Sequence, residues 1–215
     1  MREGSSRIDS ALHAMRAGRP VLVLDDAHRE NEGDVILAAQ TITAPWMGWT
    51  VRHTSGYICA PMPQTWADRL DLPLMVQHNA DPFRTAYAVT VDAAVGVSTG
   101  ISATDRARTV GVLGDTRSVA TDLIRPGHVV PLRARAGGVL ERPGHTEAAV
   151  ELCQLAGLTP VAAIAELVDD TGEMLRGDAV RALAQNHDLT VLTVAELVAY
   201  RAAQPSPPAS SRRLS

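Results

Sequence analysis

Asp25-Asp26-Ala27-His28-Arg29-Glu30-Asn31-Glu32-Gly33-Asp34 lies between two apolar runs, residues 21–24 and residues 35–39. Both runs are aliphatic or β-branched and too short for helices, so they read as two buried strands. The acidic stretch is then a loop or hairpin on rigid walls, where precise chemistry tends to be mounted. Carboxylates crowded on one loop repel and raise one another's pKa unless a cation or a guanidinium neutralises them. A hard divalent cation such as Mg2+ takes oxygen ligands of this kind, and a carboxylate left over can move protons. The plain alternative is a solvated charged turn capped by Gly33. Placement between buried strands, with an arginine among the acids, favours the functional reading.

The 215 residues fit one domain, or at most two small ones. Aromatics make up only 3% of a chain that is 46% hydrophobic, so Val, Leu, Ile and Ala must build the core. A net charge of -4 argues against nucleic-acid binding, which calls for a basic stripe. No run reaches the length of a membrane span, and Met1-Arg-Glu-Gly-Ser-Ser6 lacks the apolar region of a signal peptide; a cytoplasmic protein is expected. Cys59 and Cys153 sit in apolar contexts and read as buried free thiols, with a catalytic Cys59 as the alternative.

Residues 6–17 read as an amphipathic helix, with Ile8, Leu12 and Met15 on one face and Ser6 and Asp9 in capping-box register. A second helix starts at Thr43-Ala-Pro45 and carries Trp46 and Trp49. A strand over 57–60 and a helix over 63–70 follow. Residues 72–84 are polar and punctuated by proline, a loop of the kind that serves as a lid. Residues 85–92 alternate like a strand, with Tyr87, Val89 and Val91 on one face. Gly96-Val-Ser-Thr-Gly100 precedes a helix that Ser102 and Asp105 cap, and its free N–H groups suit a phosphate; simple capping is the alternative. Arg125-Pro-Gly-His128 leads into a strand over 129–132. Arg142-Pro-Gly-His-Thr146 stands just ahead of a helix over 147–156, a setting for anion recognition, or for metal ligation by His145. Residues 160–168 form a buried strand that contains Glu166, a carboxylate that must be paired, coordinating or catalytic. A helix over 179–187, a strand over 190–194 and a last helix over 195–203 precede a Pro/Ser-rich tail, 204–215, expected to be disordered. The pattern predicts a single α/β domain of the α+β type over residues 1–203, in three layers with a mixed sheet between helices.

With these pieces in order, the chain resembles the 3,4-dihydroxy-2-butanone-4-phosphate synthase family of riboflavin biosynthesis, from about Ile8 to Arg201. The resemblance rests on Asp25-Asp26 with Arg29 to Asp34, Arg52-His-Thr-Ser-Gly56, Thr99-Gly-Ile-Ser-Ala103 with Asp105-Arg106, Arg125-Pro-Gly-His128, and Gly137-Gly-Val-Leu140 with Gly144-His-Thr-Glu-Ala148. It implies a lyase that converts D-ribulose 5-phosphate to L-3,4-dihydroxy-2-butanone 4-phosphate and formate. It also implies Mg2+, for which Mn2+ substitutes, and a homodimer with active sites near the subunit interface. Glu30 and His145 are implied as metal ligands. Arg29, Glu30, Asp34, Arg142, Pro143, Gly144, His145 and Thr146 are implied as substrate contacts, with Thr99 near the phosphate or a hydroxyl. His128 and Glu166 match positions needed for catalysis, and Glu32, Asp34 and Cys59 match further active-site positions.

Two departures stand out. Ala27-His28 replaces a commonly acidic pair, and Pro143 stiffens the anchor turn. A metal-dependent sugar-phosphate isomerase or aldolase is the nearer rival, separated by formate release. A non-catalytic binding module would have lost Glu30, His145, His128 or Glu166, and all are present.

Overall fold

In the structure, a computed structural model, residues 2–26 and 28–204 are described, with backbone only over residues 2–6. Strand β1 (Val21–Leu24) is apolar and buried at every position, so it needs cover on both faces. Its alternation supplies two cores. Leu22 and Leu24 join one cluster, while Val21 and Val23 join the other. Strand β2 (Gly33–Ala38) divides the same way, Val35 and Leu37 against Ile36 and Ala38.

The other strands are β3 (Cys59–Pro63), β4 (Val91–Ala93), β5 (Leu123–Ala134), β6 (Ala162–Glu166) and β7 (Thr190–Thr193). The sheet has seven strands in the order β4-β5-β3-β6-β2-β1-β7. It is mixed: β1 is antiparallel to β2 and parallel to β7, while β3 is parallel to β5 and antiparallel to β6. One face is covered by α2 (Ala44–His53), α3 (Gln64–Arg69), α4 (Ala103–Gly114) and α6 (Gly177–His187). The other carries α1 (Arg2–Arg16), α5 (His145–Leu155) and α7 (Val194–Ala202). The expected three-layer domain with a mixed sheet is what is observed.

Three expectations need correction. Helix α1 starts at Arg2, ahead of the predicted cap at Ser6, whose side chain lies outside the described residues. Residues 85–92 do not form one strand. Tyr87 and Ala88 make isolated bridges to Leu132 and Leu74, and regular pairing begins only at Val91. The alternation there answers to two different partners, not one ladder. Strand β5 starts at Leu123, so Arg125 to His128 lie within a strand and not ahead of one. The tail, apart from Gln204, lies outside the described residues.

Candidate active site

The acidic loop is built on Asp25, whose side chain is fully buried. One carboxylate oxygen accepts the Glu32 N–H (2.9 Å), and the other accepts the Glu30 N–H (3.1 Å) and the Arg29 guanidinium (2.9 Å). Asn31 takes a left-handed φ of 56°, which lets the chain reverse tightly between Glu30 and Glu32. Gly33 then enters β2 where a Cβ would meet Val180 at 2.8 Å. Asp25 therefore organises the loop by occupying its own lone pairs, and leaves the Glu30 carboxylate to face inward.

Strand pairing supplies the next two acids. Asp34 on β2 stands opposite Glu166 on β6 in the antiparallel register, on the face that α5 covers. Ser55, just past α2, donates its N–H to the Glu166 carbonyl (2.9 Å) and its hydroxyl to the Glu166 carboxylate (3.3 Å). Helix α5 begins at His145, with Gly144 as its N-cap. A Cβ on Gly144 would meet the Arg142 and Arg29 guanidiniums at 2.8 and 3.0 Å, so both arginines lie close over the helix start and would have to shift for any side chain there.

Arg29, Glu30, Asp34, Cys59, Arg142, His145, Thr146 and Glu166 line one cavity, joined by Tyr57, Thr85 and Tyr87. Its volume is about 60 Å³, well under the roughly 300 Å³ at which small-molecule pockets start. The loop ahead of Tyr87 accounts for the narrow mouth. The Arg29 guanidinium stacks on Phe83 at 5.0 Å, while Arg142 donates to the Phe83 carbonyl (3.3 Å) and the Thr85 hydroxyl (3.0 Å). A larger groove of about 920 Å³ runs along α4, lined by Arg108, Arg117 and Thr159 among others. It is more open but gathers no comparable set of acids and imidazole, so chemistry is assigned to the smaller cavity.

Burial and the surrounding carboxylates Glu166, Glu30, Glu32 and Asp25 push Asp34 well above the usual carboxylate range. Burial, then Glu166, Glu30 and Asp25, raise Glu32 as well, against His145. Burial lowers His145 and so favours the neutral imidazole, against the opposing pull of Asp25 and Glu30. Its Nε2–H donates to the Val23 carbonyl (3.0 Å), which leaves the Nδ1 lone pair facing the acids. Burial drives the Cys59 thiol far above its ordinary value, so it stays protonated.

These donors can be tested against a divalent cation. Metal–oxygen bonds of about 2.0–2.1 Å set neighbouring ligands of an octahedral ion roughly 3.0 Å apart and opposite ones roughly 4.2 Å apart. His145 Nδ1 lies 3.8 Å from a Glu30 oxygen and 3.4 Å from Asp34 Oδ1, within that span. Asp34 Oδ1 is buried and accepts no hydrogen bond. Asp25, Glu30 and His145 present donor atoms within 4.8 Å of one another; both Asp25 oxygens carry hydrogen bonds within the loop, and the Glu30 oxygen facing His145 is paired with Arg29 alone. Glu30 and His145 fit a hard cation best, with the bare oxygen of Asp34 beside His145.

Some predicted site residues lie apart from this wall. Glu32 senses Glu166 and Glu30 but does not line the cavity, nor do Pro143 and Gly144. His128 and Thr99 are also off the wall of this chain's cavity, and both are exposed. Gly100, the residue after Thr99, packs against His128, since a Cβ there would meet His128 Nδ1 at 2.5 Å. The loop before α4 is not an open phosphate cradle. The Gly100 N–H (3.1 Å) and the Ser98 hydroxyl (2.7 Å) both donate to the Asp105 carboxylate, which they hold below the usual range. Ser102 caps α4 as predicted.

The sequence reading passed over Glu147. It is 1% exposed, pairs with Arg142 at 2.7 Å and accepts the Arg135 N–H at 3.0 Å. An acid three residues past a helix cap was a signal for a buried partner, although only the fold shows which one.

A family model described as 3,4-dihydroxy-2-butanone 4-phosphate synthase matches residues 9–200. The chain is 57% identical over 194 residues to the riboflavin biosynthesis protein RibBA of Salinispora arenicola, a match covering 90% of this chain and 46% of that protein. The chain thus spans about half the length of these RibBA relatives. The 3,4-dihydroxy-2-butanone 4-phosphate synthase of Proteus mirabilis is 50% identical over 195 residues, which are 91% of this chain and 90% of that one. A solved 3,4-dihydroxy-2-butanone 4-phosphate synthase in complex with two magnesium ions is 48% identical and superposes with a TM-score of 0.88, over 90% of this chain and 95% of that chain.

Proposed function

The chain belongs to the 3,4-dihydroxy-2-butanone 4-phosphate synthase family, and on that footing we propose that it converts D-ribulose 5-phosphate to L-3,4-dihydroxy-2-butanone 4-phosphate and formate. This is a lyase step of riboflavin biosynthesis, carried out in the cytoplasm with Mg2+, for which Mn2+ substitutes. The observation that carries the reading is the convergence of Glu30, Asp34, His145 and Glu166 with two arginines on one cavity. The five-carbon substrate divides into a four-carbon product and a one-carbon acid, so no co-reactant is required.

Glu30 and His145, with Asp34 beside them, are the residues to hold the cation. When bound, it supplies a Lewis acid for the vicinal oxygens of the sugar. Arg29 and Arg142 bind the substrate's anionic end together with the N-terminus of α5 at Thr146, where free N–H groups favour a phosphate. Glu166 stands opposite Asp34, so both carboxylates face the same bound sugar. Asp34, buried beside the cation ligands, and Glu166, tethered by Ser55, are the two carboxylates on the cavity wall placed to move protons at the substrate. Cys59 lines the wall as a neutral thiol and Glu32 holds charge behind it. Tyr57 and Tyr87 line the cavity beside them, with the Tyr87 hydroxyl pushed up to about 12 by burial.

His128 and Thr99 enter the reaction from a second copy. A homodimer in which His128 of the partner subunit reaches this cavity accounts for their exposure and their position away from their own chain's cavity.

The test is incubation of the purified chain with ribulose 5-phosphate and Mg2+, with and without EDTA, while formate is assayed. Cation-dependent formate is the expected result. Intact substrate under both conditions, from folded protein, overturns the reading.

A further inference from the structure

The motif Arg125-Pro-Gly-His128 is shaped by its neighbour β4. Val91 pairs with Val129, yet the next residue, Asp92, pairs with Ile124. The register jump leaves residues 125–128 bulged out of the ladder, and their amides need other acceptors. The Gly127 N–H donates to the Thr90 hydroxyl (3.1 Å), and the His128 N–H donates to Asp92 Oδ1 (2.9 Å). The bulge lies so close to β4 that a Cβ on Gly127 would overlap the Val91 backbone. Arg125 anchors the other end through the carbonyls of Ala120 (3.1 Å) and Leu70 (2.5 Å).

The second oxygen of Asp92 lies 2.7 Å from His128 Nδ1. One carboxylate thus grips both the backbone and the ring of the same histidine. Asp92 is 7% exposed, while the His128 side chain is 42% exposed. Gly100, with φ +91°, closes over the pair, and any side chain there would collide with the Asp92 carboxylate and the ring. The charged groups around it are Asp105, engaged by Ser98 and Gly100, and Arg108, which lies against Gly96 on the far side of the loop.

We propose that Asp92 is a positioning residue for His128, fixing the neutral ring as the Nδ1–H tautomer and turning the unprotonated Nε2 outward to exchange protons with substrate. The carboxylate accepts Nδ1–H, so the only lone pair left on the ring is at Nε2. A buried acid and an exposed ring face make this a directional arrangement. The hydrogen bond is sheltered, and the reacting nitrogen is presented. The role in turnover rests on the function proposed above; the tautomer does not.

The test uses the 215-residue chain labelled with 15N in its histidine rings. Wild type is expected to show His128 as the Nδ1–H tautomer. In Asp92→Asn the ring reverts to the Nε2–H form or a mixture, and kcat falls about 100-fold or more, within the roughly 10²–10⁴ that a placed acid or base contributes. KM stays within about twofold, because Asp92 touches no substrate. Asp92→Glu, which keeps the carboxylate, restores the tautomer and most of kcat. An Nε2–H ring in wild type overturns the proposal, and that measurement stands even if Asp92→Asn fails to fold. So does an unchanged kcat in a folded Asp92→Asn protein. Wild type that makes no formate refutes the proposed function, and the ring spectrum still decides the tautomer.

Discussion

Replacing Glu30 by Gln isolates the cation from the fold. Among the residues fitted to the ion, Glu30 is the one on a loop, held from behind by Asp25 through its own N–H. The carboxamide keeps that N–H and the side-chain length but removes the charge and one anionic oxygen. A ligand that binds only folded protein stabilises it by RT ln(1 + [L]/Kd), which is about 2.7 kcal/mol at one hundred times Kd. For a chain of this size each kcal/mol moves Tm by roughly 2–4 °C. Wild type in saturating Mg2+ is therefore expected to melt about 5–11 °C higher than in EDTA. Glu30→Gln should melt within about 2 °C of wild type in EDTA, show almost no Mg2+ shift, and release no formate. Scanning calorimetry over a Mg2+ series reads all of this at once. A variant that keeps the wild-type shift would refute the assignment of Glu30 as a ligand. Wild type without a saturable shift would refute the site itself.

Other expectations follow from buried groups. Cys59 is 7% exposed with its thiol driven up, and Cys153 is buried and pushed up to about 12, so neither should react with iodoacetamide at pH 8 until denaturant is added; labelling of native Cys59 would contradict its neutral, walled-in state. Glu147→Gln leaves Arg142 without its charged partner, a loss of about 3–5 kcal/mol by urea unfolding. A change under about 0.5 kcal/mol would show that the pair does not hold the turn. His53 stacks on Trp49 at 4.5 Å and faces His187 at 5.0 Å; burial, then His187 and Arg52, hold its pKa below the ordinary value, against Asp170. A histidine lowered in the folded state contributes fully above its unfolded value of about 6.5 and loses that stability as pH falls through the folded value. Urea midpoints should therefore drop more between pH 7.5 and 5.5 in wild type than in His53→Gln, and equal drops would sink the claim.

What the sequence disclosed was local, or repeated along a strand. The four-residue run at Val21 and the run after Gly33 read as buried strands because every position is apolar, and both are fully buried. Ser102 and its partner three residues on announced α4. The acidic loop and the Arg142 to Thr146 turn were visible as candidate site segments because their residue types are costly to crowd without a purpose. Hidden from the sequence was whatever depended on a distant partner. The alternation from Thr85 to Asp92 was real, but its residues pair with Leu74, Leu132 and Val129 in turn. No local pattern states that Asp92 meets His128 across a bulge, or that Glu147 turns back to Arg142. Gly100 looked like a phosphate loop because glycine marks close approach without saying to what; here it approaches a carboxylate and a ring.

The balance of charge in the cavity sets an order of events. Arg29 is neutralised by Asp25 and Glu30, and Arg142 by Glu147, while Asp34 and Glu166 stand unpaired by any arginine among the described residues. A phosphate carrying about −1.5 to −2 charges therefore meets arginines already engaged and carboxylates that repel it. The same two arginines also hold Phe83 and Thr85 across the mouth. A divalent cation held by Glu30 and His145 would compete with Arg29 for the Glu30 carboxylate, leave Arg29 paired with Asp25 alone, and make the local field more positive. Cation before sugar phosphate is the order this arrangement favours. Calorimetric titration of ribulose 5-phosphate into EDTA-treated protein should give no saturable heat, and the same titration in Mg2+ should give a single site per chain. Tight binding without the cation would mean that Arg29 and Arg142 are free for phosphate from the start, and the neutralisation seen at Glu30 and Glu147 would then carry no weight in substrate capture.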